Sequence, residues 1–199
     1  MNLNALKDEL RRRALAARQT AHEAAPDAGE RLVDHFPFEL LTPGMVVSAY
    51  WPLPGEIDPR PLMAALEARG ACLALPVVIG PGHPLKFREW RAGDPLQRRA
   101  FGLMEPQETA PELVPDVLLV PLLAVDPDGN RLGFGKGYYD RTLAGLRAKG
   151  APLAIGLAYE AQMVAAVPVD EFDQPLEWVL TEKRGTPLSP PSAHYPTSS

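Results

Sequence analysis

Hydrophobic and polar residues along the chain change repeatedly between a helical spacing and short continuous apolar blocks. Leucines and alanines at helical spacing predict an amphipathic helix over residues 3–19, and further helices are predicted at 27–40, 59–69 and 136–149. Apolar blocks bounded by turn residues predict strands at 45–51, 71–77, 85–90, 116–126, 154–157 and 178–180. Strands that alternate with helices indicate an α/β layered fold around a mainly parallel sheet.

The length of the chain favours one domain. Its 199 residues, 46% of them hydrophobic, suffice for one buried core, which we place in residues 1–183. The 23 prolines divide the chain into short elements, and the polar stretch 91–115 shows little periodicity. From Arg184 onward the chain has proline and small polar residues and no periodicity, so we predict a disordered tail over 184–199.

Charge and composition exclude several classes of protein. The net charge of −5 disfavours a nucleic-acid partner, so an anionic ligand needs a local positive site. One cysteine cannot form an internal disulfide or a thiolate metal cluster. No run approaches the ~18 apolar residues of a membrane span. The N-terminal MNLNALKDELRRR lacks the apolar core of a secretory signal, so we expect a cytoplasmic protein with no membrane partner.

The most informative segment is residues 120–141, VPLLAVDPDGNRLGFGKGYYDR. It reads as a buried strand, a glycine-rich loop and the start of a helix, an arrangement that binds phosphate through loop amides and the helix dipole. Gly133, Gly135 and Gly137 alternate, and Lys136 and Arg131 add positive charge. The pattern predicts a phosphate-binding loop, the alternative being a glycine-rich turn with incidental basic residues.

Two well-known phosphate loops do not fit this segment. A Walker A loop needs four residues between its glycines and a hydroxyl after the lysine, whereas five residues separate Gly129 from Gly135 and Gly137 follows Lys136. A dinucleotide-binding loop needs a third glycine where Tyr138 stands. The loop is therefore of another kind.

The string GFGKGYYDR at 133–141 closely resembles the signature of the 5-formyltetrahydrofolate cyclo-ligase family, and further motifs follow the family's order. The N-terminal K-x-x-L-R is at 7–11 and the glutamate-containing segment YWPLPGEIDPRPL at 50–62. F-x-x-W followed by GLMEP lies within 87–106, and the closing pattern IGLAYEAQ…VPVDEFDQPLEWVLTE within 155–182. The resemblance covers nearly the whole chain.

The resemblance implies an ATP-dependent ligase that acts on a reduced folate in a three-layer α/β fold around a mixed sheet. In this family ATP phosphorylates the formyl oxygen on N5 of 5-formyltetrahydrofolate. N10 then attacks the activated carbon, and phosphate leaves to give 5,10-methenyltetrahydrofolate, ADP and phosphate. Such a reaction requires alignment of the reactants and neutralisation of phosphate charge.

Family positions assign ATP binding to Lys7 and Arg11, which lie four residues apart on one helix face, and to the loop. The residues alone favour a solvated basic face for Lys7 and Arg11, since further arginines are nearby. The loop positions assigned to ATP are Arg131, Leu132, Gly133, Phe134, Gly135, Lys136, Gly137, Tyr138 and Tyr139. Of these, Lys136, Arg131 and Tyr138 are predicted to act in catalysis.

Five residues are assigned to the binding of folate. Trp51 and Glu56 match family positions that bind folate, and a carboxylate can accept hydrogen bonds from the amino-pyrimidine edge of a pterin. Phe134 and Tyr138 are placed beside the substrate as well. Trp90 offers a flat face for stacking, although a core tryptophan on a strand fits equally.

Two aspartates are assigned to Mg²⁺, which ATP transfer in this class requires and which prefers one or two carboxylates plus water and phosphate. Asp140 follows the loop in the first turn of the next helix, and Asp173 matches the family's second acidic position. Without a metal, Asp140 would serve as a favourable charge at a helix N-terminus and Asp173 as a turn residue. Phe172 departs from the histidine that relatives often carry.

Two other functions remain possible from the sequence. One is a non-catalytic relative that binds folate or nucleotide without turnover. The other is a phosphate-binding isomerase on a related α/β fold, which would need no ATP. We expect the protein to act as a monomer on small molecules.

Overall fold

The molecule is built around one large mixed sheet, seen here in a computed structural model that describes residues 2–188. The helices of this part are α1 Leu3–Ala24, α2 Ala28–His35, α3 Arg60–Glu67 and α4 Tyr138–Arg147. The strands are β1 Val46–Ser48, β2 Cys72–Val77, β3 Lys86–Glu89, β4 Leu96–Arg98, β5 Met104–Pro106, β6 Glu112–Leu113, β7 Val117–Pro121, β8 Ala124–Val125, β9 Arg131–Leu132, β10 Leu153–Leu157, β11 Trp178–Leu180 and β12 Gly185–Pro187.

The large sheet has eight strands in the order β12-β11-β10-β7-β1-β2-β3-β6. Its five central strands, from β11 to β2, are parallel, and antiparallel strands complete both edges. The hairpins β4–β5 and β8–β9 form two small sheets of their own. The predicted α/β fold with a mainly parallel, mixed sheet is confirmed.

Alternate residues of the central strands enter two different cores, as the two faces of a strand require. Leu119 of β7 packs with Leu32 of α2 and Leu62 of α3 on one face of the sheet. Leu118, the next residue, packs with Leu143 of α4 on the other face. The molecule therefore has three layers, and β7 is buried on both sides, as its continuous apolar sequence predicts.

Helix α1 lies against the β8–β9 hairpin rather than centrally on the sheet. Ala14 of α1 packs with Leu123 and with Leu132 of β9 in a separate small core. This packing fixes the polar face of α1 beside the glycine-rich loop that follows β9. None of the helices among the described residues is long and apolar enough to cross a membrane.

Several predicted boundaries were wrong. The first helix extends to Ala24, and the fourth begins at Tyr138 because Gly137 takes a left-handed conformation just before it. The apolar run 116–126 is divided between β7 and β8, which belong to different sheets. The stretch 91–115, which we read as irregular, contains three short strands.

The predicted tail also begins too early. Residues of β12, Gly185–Pro187, pair antiparallel with β11 and complete an edge of the sheet. A strand there was missed because three residues are too few to show a period. The remainder of the predicted tail, 189–199, lies outside the described residues.

Candidate active site

Most of the predicted site residues lie at the carboxyl end of the parallel strands, where open α/β sheets bind their ligands. Trp90 is an exception, since it follows antiparallel β3 and lies beside Leu73 near the amino end of β2. Trp51 and Glu56 follow β1, whereas the β8–β9 hairpin and the glycine-rich loop follow β7. Side chains from α1 reach the same end of the strands, since Arg11 Nε donates to the carbonyl of Gly133 at 3.1 Å. Helix α1 thus borders both the glycine-rich loop and Glu56, which follows β1.

The loop between β9 and α4 is shaped by glycine at two positions. Gly135 (φ 86°) and Gly137 (φ 65°) both take left-handed conformations. A Cβ on Gly135 would lie 3.1 Å from Nη2 of Arg11, so a side chain there would also push on that guanidinium. The N-terminus of α4 follows the loop directly, and Lys136 is exposed beside it. The backbone N–H groups and the helix dipole at this N-terminus favour an anion.

The two basic residues of α1 that are assigned to phosphate already have acidic partners. The Lys7 ammonium lies 2.7 Å from Asp170 Oδ2 and 2.6 Å from Asp173 Oδ2. Burial lowers the pKa of Lys7, but hydrogen bonds to both aspartates outweigh it, and the pKa is raised overall. Arg11 pairs with Asp8 at 2.5 Å. Phosphate oxygens would therefore enter an existing charge network rather than an isolated patch.

Arg131 is buried at the centre of this network. Its Nη2 lies 2.7 Å from Asp140 Oδ1, and its Nη1 donates to the backbone carbonyl of Gln174. Burial lowers the pKa of Arg131, which the nearby charges of Asp140 and Asp173 oppose. The guanidinium thus holds the loop, α4 and the 170–174 segment together, and only its remaining N–H groups could face a ligand.

Asp140 and Asp173 each have one carboxylate oxygen engaged and one available. Asp140 Oδ1 accepts from Arg131 and from the Gln174 N–H, while Asp173 Oδ2 accepts from Lys7 and the Asp170 N–H. Within residues 2–188 no donor hydrogen-bonds the other oxygen of either carboxylate, and no group of three His, Cys, Asp or Glu could hold a metal alone. Two free carboxylate oxygens fit Mg²⁺ that also binds phosphate and water.

Glu56 is buried shortly after the end of β1. Its Oε2 accepts from the backbone N–H of Leu53 at 2.8 Å, and its Oε1 lies 3.8 Å from Nη1 of Arg18. Burial raises the pKa of Glu56, and the Leu53 hydrogen bond and Arg18 charge partly offset it. Burial, and secondly the Glu56 charge, also raises the pKa of Tyr139. A buried carboxylate with capacity to accept is suited to a ligand edge that carries donors.

The aromatic residues assigned to the folate occupy different environments. Phe134 is 50% exposed at the tip of the loop, and the Arg18 guanidinium lies 5.5 Å from its ring centroid. Trp51 is half-buried and meets Trp90 edge to face at 5.7 Å. Trp90 is a core residue whose indole N–H donates to the Asp94 carbonyl, so its stacking face is largely covered. Trp51 and Phe134 offer more surface to a ligand than Trp90.

The remaining loop residues pack against the hydrophobic cores. Leu132 is buried against Ala14 of α1. Tyr138 begins α4, with the Arg141 guanidinium 5.5 Å from its ring centroid, and Tyr139 packs against the core beside β7. The structure therefore brings the loop, Lys7, Arg11 and both aspartates together, and it places the buried Glu56 beside Arg18 of the same helix.

Sequence analysis missed two polar residues of this region, Arg18 and Asp170. Arg18 is seven residues after Arg11, which is close to two helical turns and places both on one face of α1. That spacing could have identified Arg18 as a site residue, but the neighbouring Arg12 and Arg13 made the whole helix basic in sequence. Asp170 gave no signal, since only the fold shows that it shares Lys7 with Asp173.

The fold and the site together define an α/β protein whose glycine-rich loop and helix N-terminus are suited to an anion, with the buried carboxylate of Glu56 nearby. Residues 4–182 match the model of the 5-formyltetrahydrofolate cyclo-ligase family, so the chain belongs to that family. The resemblance noted in the sequence is thereby confirmed.

Individual relatives agree with this assignment. The 5-formyltetrahydrofolate cyclo-ligase of Escherichia coli K12 is 33% identical over 184 residues, 87% of this chain and 96% of that protein. The Mycolicibacterium smegmatis protein of the same name is 34% identical over 90% of this chain and 95% of its own length. The solved 5,10-methenyltetrahydrofolate synthetase of Aquifex aeolicus has a TM-score of 0.72 at 29% identity, covering 97% of this chain and all of that one.

Proposed function

We propose that the protein catalyses the ATP-dependent cyclisation of 5-formyltetrahydrofolate to 5,10-methenyltetrahydrofolate. The observation that carries the proposal is the placement of Arg11 against the loop of Lys136, with Lys7 one turn away on the same helix and buried Glu56 beside Arg18 of that helix. Two ligands bound there would lie next to each other, as a transfer between them requires. Membership of the cyclo-ligase family supports the proposal independently.

The proposed reaction forms and breaks bonds in two stages. The formyl oxygen takes the terminal phosphoryl group of ATP, and ADP leaves. N10 then attacks the activated formyl carbon, the N10 proton is lost, and the phosphorylated oxygen leaves as inorganic phosphate. Phosphorylation makes a poor leaving group a good one, so the protein chiefly aligns the reactants and balances charge.

Each predicted residue has a distinct role in this proposal. The amides of Gly133 to Gly137 and the N-terminus of α4 would cradle phosphate, with Lys7 and Arg11 at its flank. Lys136 would neutralise charge on the transferred group. Arg131 would hold the loop in position, and Tyr138 would border both ligands.

Asp140 and Asp173 would hold Mg²⁺ through their free oxygens. When bound, Mg²⁺ supplies charge neutralisation for the phosphate oxygens. The two carboxylates also keep Arg131 and Lys7 in place whether or not the metal is present.

One assay separates the proposal from its alternatives. The protein is incubated with 5-formyltetrahydrofolate and Mg²⁺, with and without ATP, while the methenyl product and ADP are measured. Formation of both products only with ATP supports the ligase. Folate binding without turnover would favour a non-catalytic relative, and the absence of folate binding would favour a phosphate-binding isomerase or another reaction.

Exchange of Glu56 for glutamine should separate the two substrates. Glutamine keeps the size but replaces an acceptor with a donor, which would face the donors of the pterin edge. We expect the KM for folate to rise by at least tenfold, as for a hydrogen bond to a charged group, and the KM for ATP to change little. Steady-state kinetics with each substrate varied in turn would test this, and equal increases in both would indicate a purely structural glutamate.

Exchange of Asp140 or Asp173 for asparagine should weaken Mg²⁺ binding. We expect the Mg²⁺ concentration for half-maximal activity to rise on the order of tenfold in Asp140→Asn and in the same direction in Asp173→Asn, since each loses a charged ligand oxygen. Exposed Asp34 provides a matched control as Asp34→Asn, for which no change is expected. An unaltered Mg²⁺ dependence in both site variants would remove these aspartates from the metal site.

We further propose that the enzyme acts as a monomer in the cytoplasm. Lys7, Glu56 and Lys136 all come from one chain, so the site needs no second copy. The proposed reaction consumes ATP, which supports the cytoplasmic location. Sedimentation of the active protein at assay concentration would show a mass near 21.6 kDa if this is correct.

A further inference from the structure

Arg18 is a buried cation on the site face of α1. Its side chain is 8% exposed, and its guanidinium lies beneath the half-exposed ring of Phe134. Lys7 and Arg11, two to three turns earlier on the same helix, border the phosphate loop instead. Arg18 therefore lies beside Glu56 rather than in the charge network around Lys7.

The hydrogen bonds of Arg18 are incomplete. Within residues 2–188, Nη1 is buried and has no hydrogen-bond partner. Nη2 has a long contact of 3.5 Å to the carbonyl of Pro54, and Glu56 Oε1 is too far, at 3.8 Å, for a hydrogen bond. Buried charged groups are normally paired and hydrogen-bonded, because desolvation without a partner is costly. A buried N–H donor left without a partner, beside a carboxylate assigned to the folate, indicates that the ligand supplies the acceptor.

The neighbouring charge indicates which kind of acceptor fits. Glu56 lies beside Arg18 and compensates its charge. A phosphate or carboxylate placed on Nη1 would also approach the Glu56 carboxylate and be repelled. A neutral carbonyl oxygen, by contrast, could accept from Arg18 while adjacent N–H groups donate to Glu56. Arg18 therefore presents an N–H donor next to the acceptor oxygens of Glu56.

We propose that Arg18 and Glu56 together recognise the heterocyclic edge of the reduced pterin, with Arg18 donating to its ring carbonyl oxygen. This inference rests on the proposed function, which supplies a ligand of that chemistry. The pterin edge presents a carbonyl acceptor, a ring N–H and an exocyclic amino group in order. Arg18 meets the first of these, and Glu56 accepts from the other two. Arg18 is accordingly a residue that determines substrate specificity.

The experiment compares wild type with Arg18→Met and Arg18→Lys on two substrates, 5-formyltetrahydrofolate and 5-formyltetrahydropteroate, which lacks the glutamate and its carboxylates. We expect Arg18→Met to raise the KM for both substrates by the same factor of about 10 to 100, as for loss of a hydrogen bond from a charged donor. The kcat at saturation and the KM for ATP should stay within about threefold. Arg18→Lys keeps the charge without the fork geometry and should give an intermediate KM.

Arg13→Met is the matched control, because Arg13 is exposed on the same helix and should leave all constants unchanged. An effect of Arg18→Met that vanishes on the pteroate would show that Arg18 binds the glutamate tail, and a loss confined to kcat would place it at the reacting oxygen. Either result, or an unchanged folate KM, overturns the inference. If Arg18→Met does not fold, an unchanged folate KM in folded Arg18→Lys overturns it equally. Wild type without ATP-dependent turnover would instead refute the proposed function.

Discussion

Replacement of Lys136 by alanine should lower kcat about a hundredfold while the fold survives. Lys136 is exposed at the tip of the glycine-rich loop and makes no side-chain ion pair within the part of the chain that the structure describes. Its loss therefore removes charge from the phosphate site without disrupting the core. One charge-assisted contact to transferring phosphate is worth roughly 2–4 kcal/mol of transition-state stabilisation, which corresponds to this decrease.

Steady-state turnover and thermal unfolding of Lys136→Ala would be measured beside Lys149→Ala. Lys149 is an exposed lysine just beyond α4, so its removal changes the net charge equally but at a distance from the loop. We expect Lys149→Ala to retain full turnover. Near-normal turnover in folded Lys136→Ala would show that the lysine takes no part in the transfer.

Replacement of Arg131 by leucine should cause the largest loss of stability among single substitutions in the site. The side chain of Arg131 is 5% exposed and joins Asp140 to the carbonyl of Gln174. Removing one partner of a fully buried pair costs about 3–5 kcal/mol, because the other charge is left uncompensated. Asp140 is 26% exposed and can be partly hydrated, so we expect the lower end of this range, about 3 kcal/mol. For a chain of this size, that corresponds to a decrease in Tm on the order of 10 °C.

Arg184→Leu is the control for Arg131→Leu, because Arg184 pairs with Glu160 but is 56% exposed. Exposed ion pairs contribute only about 0–1 kcal/mol, so the free energy of unfolding should barely change. Denaturant titrations of both variants would give that free energy directly. Equal effects of the two substitutions would mean that Arg131 is not held in a buried pair.

The sequence predicted the central part of the fold because its strands carry strong signals. The run 116–126 is apolar throughout, which is typical of a strand covered on both faces, and β7 is such a strand. The short edge strands were missed, since β6 has two residues and β12 three, and their pairing depends on neighbours far away in the chain. Periodicity cannot show contacts of that kind.

For the site, local motifs were informative and long-range pairing was not. The spacing of glycines and Lys136 indicated a phosphate loop, and the structure places Arg11 against that loop. No local pattern indicates that Lys7 lies between two aspartates or that Arg18 adjoins Glu56. The roles of these residues in binding and catalysis remain predictions for the experiments above.

The position of α1 has a consequence for how the protein matures on the ribosome. Lys7 is joined to Asp170 across 163 positions of the chain, so the helix is synthesised long before its partners. Domains fold during synthesis at roughly 5–20 residues per second, so α1 must wait on the order of ten seconds for its contacts. A nascent chain that has already formed the first parallel strands therefore still lacks the partners of Lys7. Those contacts can form only after Asp173 has been synthesised, when β11 and β12 are still to come.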